Sequence, residues 1–467
     1  MNSQPMRYEC LRSVLSYMEA NKRIECANRM PSIRKVEKVL PLKIKKLSFT
    51  ENFFIINQKE YLFGVYRHYG TKVTPQFIQS QNEEGGCRND VDKYGFEVEG
   101  TWYKAIPEDI VMNAREVEEP RRDINTMIAR EQAIQTLEKE IVELYGKIGK
   151  GCGIEEMREN PEQASQLGFA LMKAHEEIDR KTAEIEKAHY DLQCYKCYRD
   201  NTPSPFESFI QLRLCDEETR FHATPTSRKF ERLIYNKRLP DAMRAVLKLI
   251  FGDRKKPVRV TELNVHQDHS LRLPSEFRLN LRKLNVQGVL GKVCDRLSLI
   301  IDAACLPLEQ VSVKSHTEFI NDFQPELART AKKLVIGDHY EINTEEWLPV
   351  FLTLQNQYVE WRILYETIPA ADFIELIRFW LLNRKRIGTT FSFHGQTRSV
   401  TEFFERAVQE FQEAFRGNRC ITIPMTSFSK VRVSHNCEDD VLEMKVLSVE
   451  NEDANVVTEH FSSVSIN

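Results

Sequence analysis

The sequence lacks any apolar run approaching the roughly 20 residues that a membrane-spanning helix needs. It also lacks a cysteine framework, because its 11 cysteines are odd in number and scattered, as is typical of reduced intracellular thiols. Neither sign of charge is in large excess, and the net charge of −3 gives no overall attraction to nucleic acid or anionic membrane. Arg7, Glu9 and Arg12 precede any apolar run, so a secretory signal is not expected. These absences favour a protein of the cytoplasm or nucleus with no membrane partner.

Recognisable catalytic signatures are also missing. The chain contains no G-x-S-x-G elbow and no H-E-x-x-H pair. The pair Cys194 and Cys197 has no second C-x-x-C to complete a structural zinc site. The glycine-rich segment 146–153 has no Ser or Thr after its lysine, so it predicts a hairpin turn rather than a phosphate-binding loop.

Two further groups of polar residues are weak candidates for a site. Asp90 and Asp92 have a spacing that suits a hard cation, but one carboxylate pair supplies too few oxygens, which favours a solvated turn. His435 and Cys437 are expected to face solvent. We therefore predict no catalytic residue, no metal ligand and no cofactor, and the chain is not expected to be an enzyme.

At 467 residues the chain is long enough for about three domains. Residues 1–115 are predicted to form a small α+β module. A helix is expected from Leu11 to Ile24, another from Pro31, and short strands at 42–49, 53–57 and 60–66. The segment from 451 to 467 is polar and acidic, and it is predicted to be disordered.

Residues 120–200 carry two arms with the 3,4 apolar spacing of a coiled coil. The first arm places apolar residues at Ile134, Leu137, Ile141, Leu144 and Ile148. The second runs through Leu167, Leu171, Ala174, Ile178, Lys181, Ile185, Ala188, Leu192 and Tyr195. Lys181 interrupts the second seam and could help to set its register. An antiparallel helical hairpin within the chain is favoured over self-association between chains.

Residues 206–450, beyond a Pro-rich linker at 201–205, repeat a strand-like word followed by a helix-like segment. The words are 260–265, 281–286, 308–313, 331–336 and 358–363, with 388–393 as a sixth. Counted from Leu263, Leu284, Val311, Leu334 and Trp361, the spacings are 21, 27, 23 and 27 residues. This period and the x-x-L-x-V core are typical of an irregular leucine-rich repeat, although an ordinary α/β domain gives a similar alternation. The predicted fold class is α+β.

Several words of the first hundred residues resemble a family expanded in nematodes. They are the helix-like 11–24, the strand-like 42–49, Phe63-Gly-Val-Tyr-Arg67, and the stretch 85–95 that begins Gly85-Gly-Cys-Arg. A second resemblance, to nematode F-box-associated proteins, lies at 380–393. The family is a domain of unknown function grouped loosely with F-box-like proteins, which present substrates to a Skp-type adaptor in a cullin ubiquitin ligase.

The resemblance implies a non-enzymatic interaction protein, with the repeat region as its protein-binding surface and an adaptor contact near the amino terminus. If that contact exists, Leu11, Val14, Leu15 and Ile24 are expected to make it; otherwise these residues form the core of the first unit. The alternative function is nucleic-acid binding through the basic segment 34–46, whose lysines more often form the wet face of an edge strand.

Overall fold

A computed structural model describes most of the chain. The described residues are 7–104, 110, 124–151, 161–216, 228–266, 268–314, 325–337, 347–362, 368–395 and 397–449. The predicted disordered tail, 451–467, lies outside them.

The amino-terminal part combines short helices with an antiparallel meander. Its helices are α1 (Tyr8–Tyr17), α2 (Ala20–Arg29), α3 (Pro31–Val39) and α4 (Gln76–Glu84). Its strands are β1 (Lys43–Phe49), β2 (Phe53–Ile56), β3 (Lys59–His68), β4 (Asp90–Val91) and β5 (Glu97–Val98).

The single helix predicted from Leu11 to Ile24 is two helices. The chain leaves α1 at Met18, whose backbone is extended, and the Glu19 carboxylate then accepts the backbone N–H groups of Asn21 and Lys22. A side-chain acceptor at this position satisfies amide donors that a helix start leaves open. The apolar period continues across the break, which explains why it predicted one helix. The predicted start of α3 at Pro31 is confirmed.

Two long helices, α5 (Ile124–Gly151) and α6 (Pro161–Arg199), lie side by side and antiparallel. Arg130 pairs with Asp191 at 3.3 Å, and Lys181 pairs with Glu140 at 2.5 Å, so rising numbers on one helix meet falling numbers on the other. Ile134 packs with Ala188 and Leu192 between them. Coiled-coil packing along both arms stays a prediction.

Fifteen strands of the described residues form one mixed sheet. Seven central strands are parallel: β1, β8 (Val258–His266), β9 (Leu279–Gln287), β10 (Gln310–Lys314), β11 (Lys333–Gly337), β12 (Tyr358–Arg362) and β13 (Thr390–His394). From β8 to β13 they lie in chain order, and β1 lies beside β8.

Helices connect or precede most of these strands. They are α7 (Leu239–Phe251), α8 (Leu290–Leu297), α9 (Glu326–Thr330), α10 (Trp347–Thr353), α11 (Ala370–Leu382) and α12 (Thr397–Glu410).

Antiparallel strands complete both ends of the sheet. On one side, β2 and β3 follow β1, and then come β6 (Glu207–Asp216) and β7 (Lys229–Ile234). On the other, β13 is followed in space by β17 (Val441–Ser448), β16 (Ser429–Asn436), β15 (Cys420–Thr426) and β14 (Phe415–Gly417). The sheet therefore runs across the predicted unit boundaries at 115 and 206, which stay predictions.

The register of the parallel strands aligns one apolar residue from each. These residues are Leu47, Leu263, Leu284, Val311, Leu334, Val359 and Phe391, and none exposes more than 2% of its surface. The alignment corrects one predicted position, because Leu334 pairs with Val359 and Trp361 pairs with Ile336. The spacing at that repeat is therefore 25 residues. Leucine-rich-repeat geometry stays a prediction.

The helices cover the apolar face of this sheet. The Trp347 ring of α10 lies 4.3 Å from the Trp361 ring of β12, and the Trp380 ring of α11 lies 4.9 Å from the Phe391 ring of β13. Phe373 of α11 packs on Phe393 at 5.1 Å. These edge-to-face contacts belong to a core that is continuous from α2 to β17.

Candidate functional site

The opposite face of the parallel sheet is polar. In the row next to the aligned apolar residues lie Ser48, Asn264, Asn285, Ser312, Val335, Glu360 and Ser392. Successive side chains of a strand point to opposite faces, so this row stands away from the helices. Ser48 and Val335 are buried and the other five are half-buried. We call the surface that carries this row the polar face.

Neighbouring strands are linked across the polar face by hydrogen bonds. The Asn285 amide donates to Asn264 Oδ1 at 2.7 Å and to Glu262 Oε1 at 2.8 Å. The Asn264 amide donates to Ser48 Oγ at 2.8 Å. Within β10, Gln310 Nε2 donates to Ser312 Oγ at 2.8 Å. The row therefore holds fixed side-chain positions before any partner binds.

Glu360 lies among three basic side chains. Lys333 Nζ lies 2.6 Å from Glu360 Oε2, Arg362 Nε lies 2.5 Å from Oε1, and His394 Nε2 lies 3.5 Å from Oε1. Burial acts to raise the pKa of this carboxyl, but the hydrogen bonds from Arg362 and Lys333 outweigh it, so the pKa lies below its usual value. Glu360 is therefore ionised at neutral pH.

A cavity of about 530 Å³ opens on the polar face where β1 and β8 to β12 end. Its size suits a small ligand or a few inserted side chains. Ligands of open α/β sheets bind outside the carboxyl ends of the strands, where this cavity lies. Its polar lining side chains are Ser48, Thr50, Asn264, His266, His269, Asn285, Gln287, Gln310, Ser312, Lys314 and Arg362.

The two cavity histidines stack on each other with ring centroids 4.6 Å apart. Burial, followed by the neighbouring His266, lowers the pKa of His269. His269 is therefore neutral at physiological pH. Among the described residues of the lining, Lys314 and Arg362 carry positive charge, and Arg362 is paired with Glu360.

The four residues predicted to contact an adaptor divide into two pairs. Leu15 and Ile24 are buried, with 1% and 4% of their surface exposed, and both take the core role. Val14 is 44% exposed, and Leu11 is half-buried. An adaptor contact stays a prediction, and Leu11 and Val14 are the members of the set that a partner could reach.

The basic segment 34–46 does not form one surface. Lys38 Nζ donates to the carbonyl groups of Leu249, Ile250 and Gly252 at the end of α7, at 2.6 to 3.0 Å. Burial, followed by the nearby Arg254, lowers the pKa of Lys38 to about 8. Strand β1, which carries Lys43, Lys45 and Lys46, lies inside the sheet and not at an edge as predicted. Nucleic-acid binding stays a prediction without support from this arrangement.

The C-x-x-C pair lies near the end of α6 with its first thiol buried. Burial raises the pKa of Cys194 to about 12, so this thiol stays protonated. Among the described residues, no group of three or more His, Cys, Asp or Glu side chains could hold a metal ion. The helix α5 continues to Gly151, so most of the segment 146–153, which was predicted to form a hairpin turn, is helical.

Asp90 and Asp92 have structural partners. Asp90 Oδ1 accepts from the Tyr235 hydroxyl at 2.7 Å and from the Leu239 backbone N–H at 2.8 Å, at the start of α7. Asp92 Oδ1 accepts the backbone N–H groups of Tyr94 and Phe96 and so closes a turn. Asp90 is buried rather than solvated, which corrects the expectation for half of the pair.

His435 was expected to face solvent, and it is buried instead. Its Nε2 lies 3.1 Å from Asp440 Oδ1, and its Nδ1 lies 3.3 Å from the Cys437 thiol, which is exposed as predicted. The contacts among these three side chains stabilise the turn between β16 and β17.

Sequence reasoning missed the polar row and the cavity. A signal was present, because the residue between the two apolar positions of each L-x-V word is polar in β1, β8, β9, β10, β12 and β13. Only the register across six strands shows that these single residues share one surface.

A model of a domain of unknown function, DUF3557, matches residues 238–397. The match begins at α7 and includes the parallel strands β8 to β13. It also includes residues 380–393, the second segment for which the sequence analysis noted a resemblance. It does not extend to the first hundred residues, where the sequence resemblance is more extensive. No curated protein and no solved structure matches the chain at a significant level. No helix of the described residues is both long and apolar enough to cross a membrane.

Proposed function

We propose that this chain is a non-enzymatic protein-interaction protein whose polar face binds a partner protein. The observation that carries the proposal is a parallel sheet covered by helices on one face and lined with half-buried polar side chains on the other. Parallel sheets usually bury both faces, so a polar face needs a reason. Stacked strand–helix repeats commonly use such a face to bind proteins.

The polar face offers what a specific interface needs. Its side chains are held by strand-to-strand hydrogen bonds, so little conformational entropy is lost when a partner binds. The cavity at one end of the face can receive an anchoring side chain of the partner.

A role as a substrate-recognition adaptor of a cullin ubiquitin ligase is the more specific proposal. The resemblance to nematode F-box-like proteins supports it, as do three short helices in the first 39 residues, which is the helical content of an F-box. In this proposal α1 binds a Skp-type adaptor and the polar face binds the substrate. The ten described cysteines are all free, which supports a site of action in the cytoplasm or nucleus.

The partner-binding proposal is tested by reversing one charge on the polar face. Lys283 of β9 lies on the polar face, two residues before Asn285 and beside Gln310 of β10. Lys292 of α8 is exposed on a helix. We expect Lys283→Glu to reduce the partner recovered with tagged full-length protein by about tenfold, because a misplaced charge at an interface costs more than about 1.4 kcal/mol. Quantitative mass spectrometry of the purified complexes measures this.

The control is Lys292→Glu, which makes the same charge change on a helix. It is expected to recover the partner at the parent level. Equal recovery with Lys283→Glu and the parent would remove the polar face as the binding surface.

The adaptor proposal is tested with Val14→Glu. Because Val14 is 44% exposed, the variant is expected to fold, with a circular dichroism spectrum like that of the parent. Co-purification of the Skp-type adaptor and the cullin should fall at least tenfold. Leu15→Glu is a poorer probe, since a charge placed at a side chain that is 1% exposed unfolds the first unit.

If a folded Val14→Glu variant retains the adaptor, α1 does not make the contact. If the parent recovers no adaptor, the ubiquitin-ligase role is wrong, and the partner-binding proposal then rests on the polar face alone.

A further inference from the structure

The turn between β16 and β17 holds an exposed thiol against a buried imidazole. Cys437 Sγ lies 3.3 Å from His435 Nδ1, and His435 Nε2 lies 3.1 Å from Asp440 Oδ1. The thiol is exposed, whereas the imidazole side chain is 5% exposed. A nucleophile, a base within hydrogen-bond reach and a carboxylate that orients the base together form the arrangement of an activated cysteine.

The roles of the three groups follow from their hydrogen-bonding chemistry. An ionised carboxylate only accepts hydrogen bonds, so Asp440 fixes the hydrogen of the neutral imidazole on Nε2. Nδ1 is then the acceptor of the ring and can take the thiol proton. Because the two ring nitrogens point to different side chains, the three groups do not converge on a metal ion.

Backbone and side-chain hydrogen bonds hold the turn in this geometry. The Asn436 side chain donates to Asp439 Oδ2 at 2.9 Å and accepts the Glu438 backbone N–H at 3.0 Å. The Gly395 N–H donates to the Asp440 carbonyl oxygen at 2.9 Å. The thiol and the imidazole are therefore held together before any reagent arrives.

The charged groups around the thiol are mainly acidic. Glu438 and Asp439 are exposed in the same turn. The carbonyl oxygen of Arg419, from the turn between β14 and β15, accepts the His435 backbone N–H at 3.0 Å. Charged groups on other nearby elements are paired, namely Glu402 with Arg406 on α12 and His394 with Glu360. The turn therefore disfavours an anionic reagent.

We infer that Cys437 is a site of thiol–disulfide exchange, at which a small disulfide without negative charge forms a mixed disulfide. His435 is the base of this reaction, and Asp440 is its positioning residue. Exchange between a thiolate and a disulfide needs access to the thiol but no enclosed substrate pocket, which suits an exposed turn. The inference does not depend on the polar face.

The exchange is balanced without a further reagent. The thiol proton of Cys437 passes to His435 Nδ1, and the sulfur attacks one sulfur of the disulfide. The S–S bond of the disulfide breaks as the new bond to Cys437 Sγ forms, and the released half leaves as a thiolate. That thiolate takes the proton from His435, so Cys437 is oxidised to a mixed disulfide and half of the reagent is reduced to a thiol.

The test measures mixed-disulfide formation at each cysteine of the full-length protein with 2-hydroxyethyl disulfide, by mass spectrometry after an acid quench. Cys10, on α1, is the other exposed thiol among the described residues and is the internal reference. At pH 6.5 only about 1% of an ordinary thiol is ionised. Cys437 is expected to react at least tenfold faster than Cys10 at this pH. The ratio of the two rates should fall between pH 6 and pH 8, because an unassisted thiol becomes ionised over that range.

Asp440→Asn tests the positioning role with little change of structure. Asp440 has a backbone φ of 48°, a conformation that asparagine tolerates well. Asparagine carries no charge to stabilise the imidazolium, so Cys437 should react at least tenfold more slowly at pH 6.5. The control is Asp439→Asn, which removes the same charge one residue away, where the carboxylate accepts from Asn436. It is expected to leave the rate unchanged or to raise it by less than twofold.

The two variants separate proton transfer from simple charge repulsion. Repulsion alone predicts that loss of either carboxylate speeds the reaction, because fewer anions then surround the thiolate. The inference is overturned if Cys437 in the parent reacts no faster than Cys10, which is the result expected if the three contacts only hold the turn. It is also overturned if Asp440→Asn, folded by circular dichroism, reacts as fast as the parent or faster.

Discussion

Glu37→Gln is expected to lower the free energy of unfolding by about 3 to 5 kcal/mol, because it breaks a buried ion cluster at one partner. Glu37 Oε1 accepts from Arg23 Nε at 2.9 Å and from Arg254 Nη2 at 2.8 Å. All three side chains are at most 4% exposed. Loss of the carboxylate charge leaves two guanidinium groups facing each other without compensation.

Burial already disfavours the charged forms of the two arginines. Burial lowers the pKa of Arg23, the Glu37 carboxylate opposes this effect, and Arg254 adds to it. The pKa of Arg254 is lowered by burial as well. The cluster joins α2 and α3 to the turn that follows α7, so its loss is expected to loosen the first helices from the residues that match DUF3557.

The matched control is Glu25→Gln. Glu25 also has three cationic neighbours, Lys22, Arg29 and Lys229, but its side chain is 28% exposed. Surface pairs of this kind contribute at most about 1 kcal/mol. Denaturant unfolding of both variants compares them, and equal losses would show that the Glu37 cluster is not sealed from water.

The strands were the most predictable part of the fold, because each carries two apolar residues at positions that face one core. All six predicted strand words in 260–393 correspond to strands. The same pattern is present in the first unit, where Ile44, Leu47 and Phe49 repeat the spacing of Val260, Leu263 and Val265. This shared spacing is a signal in the sequence that β1 pairs in register with β8, although the two strands are about 200 residues apart.

The antiparallel strands after residue 397 were not predicted, although their period is clear. Val431 and Val433 alternate with polar residues, as do Leu442, Met444 and Val446, and all five are buried. The helices of the repeats were predicted less well because several are short. For example, α9, which precedes the strand word 331–336, covers only five residues.

The candidate site was less predictable than the fold, for a physical reason. Taken alone, a polar residue between two apolar ones indicates only that one face of a strand contacts solvent. Ser48 and Asn264 are 216 residues apart, and only pairing of their strands places one beside the other. Buried charges such as Glu37 are hidden in the same way, because a lone glutamate in a helix has no local pattern that indicates burial.

Gly64→Ala is expected to cost about 3 kcal/mol or more, the upper range for an overpacked site. A Cβ atom at Gly64 would lie 2.4 Å from the Gly85 carbonyl oxygen and 2.9 Å from the Gly86 carbonyl carbon. Both are backbone atoms, so no side chain can move aside. The segment from Gly85 to Cys87 crosses β3 here, and Cys87 pairs with Val65, so the close approach leaves no room for a side chain at position 64.

Gly146→Ala makes the same chemical change where a Cβ atom meets nothing within 4 Å, inside α5. It should stabilise the chain by about 0.5 to 1 kcal/mol, because alanine loses less conformational entropy in a helix than glycine does. Opposite signs for the two variants in denaturant unfolding would confirm the close crossing at β3. A Gly64→Ala variant as stable as the parent would mean that the segment 85–87 does not lie against that strand.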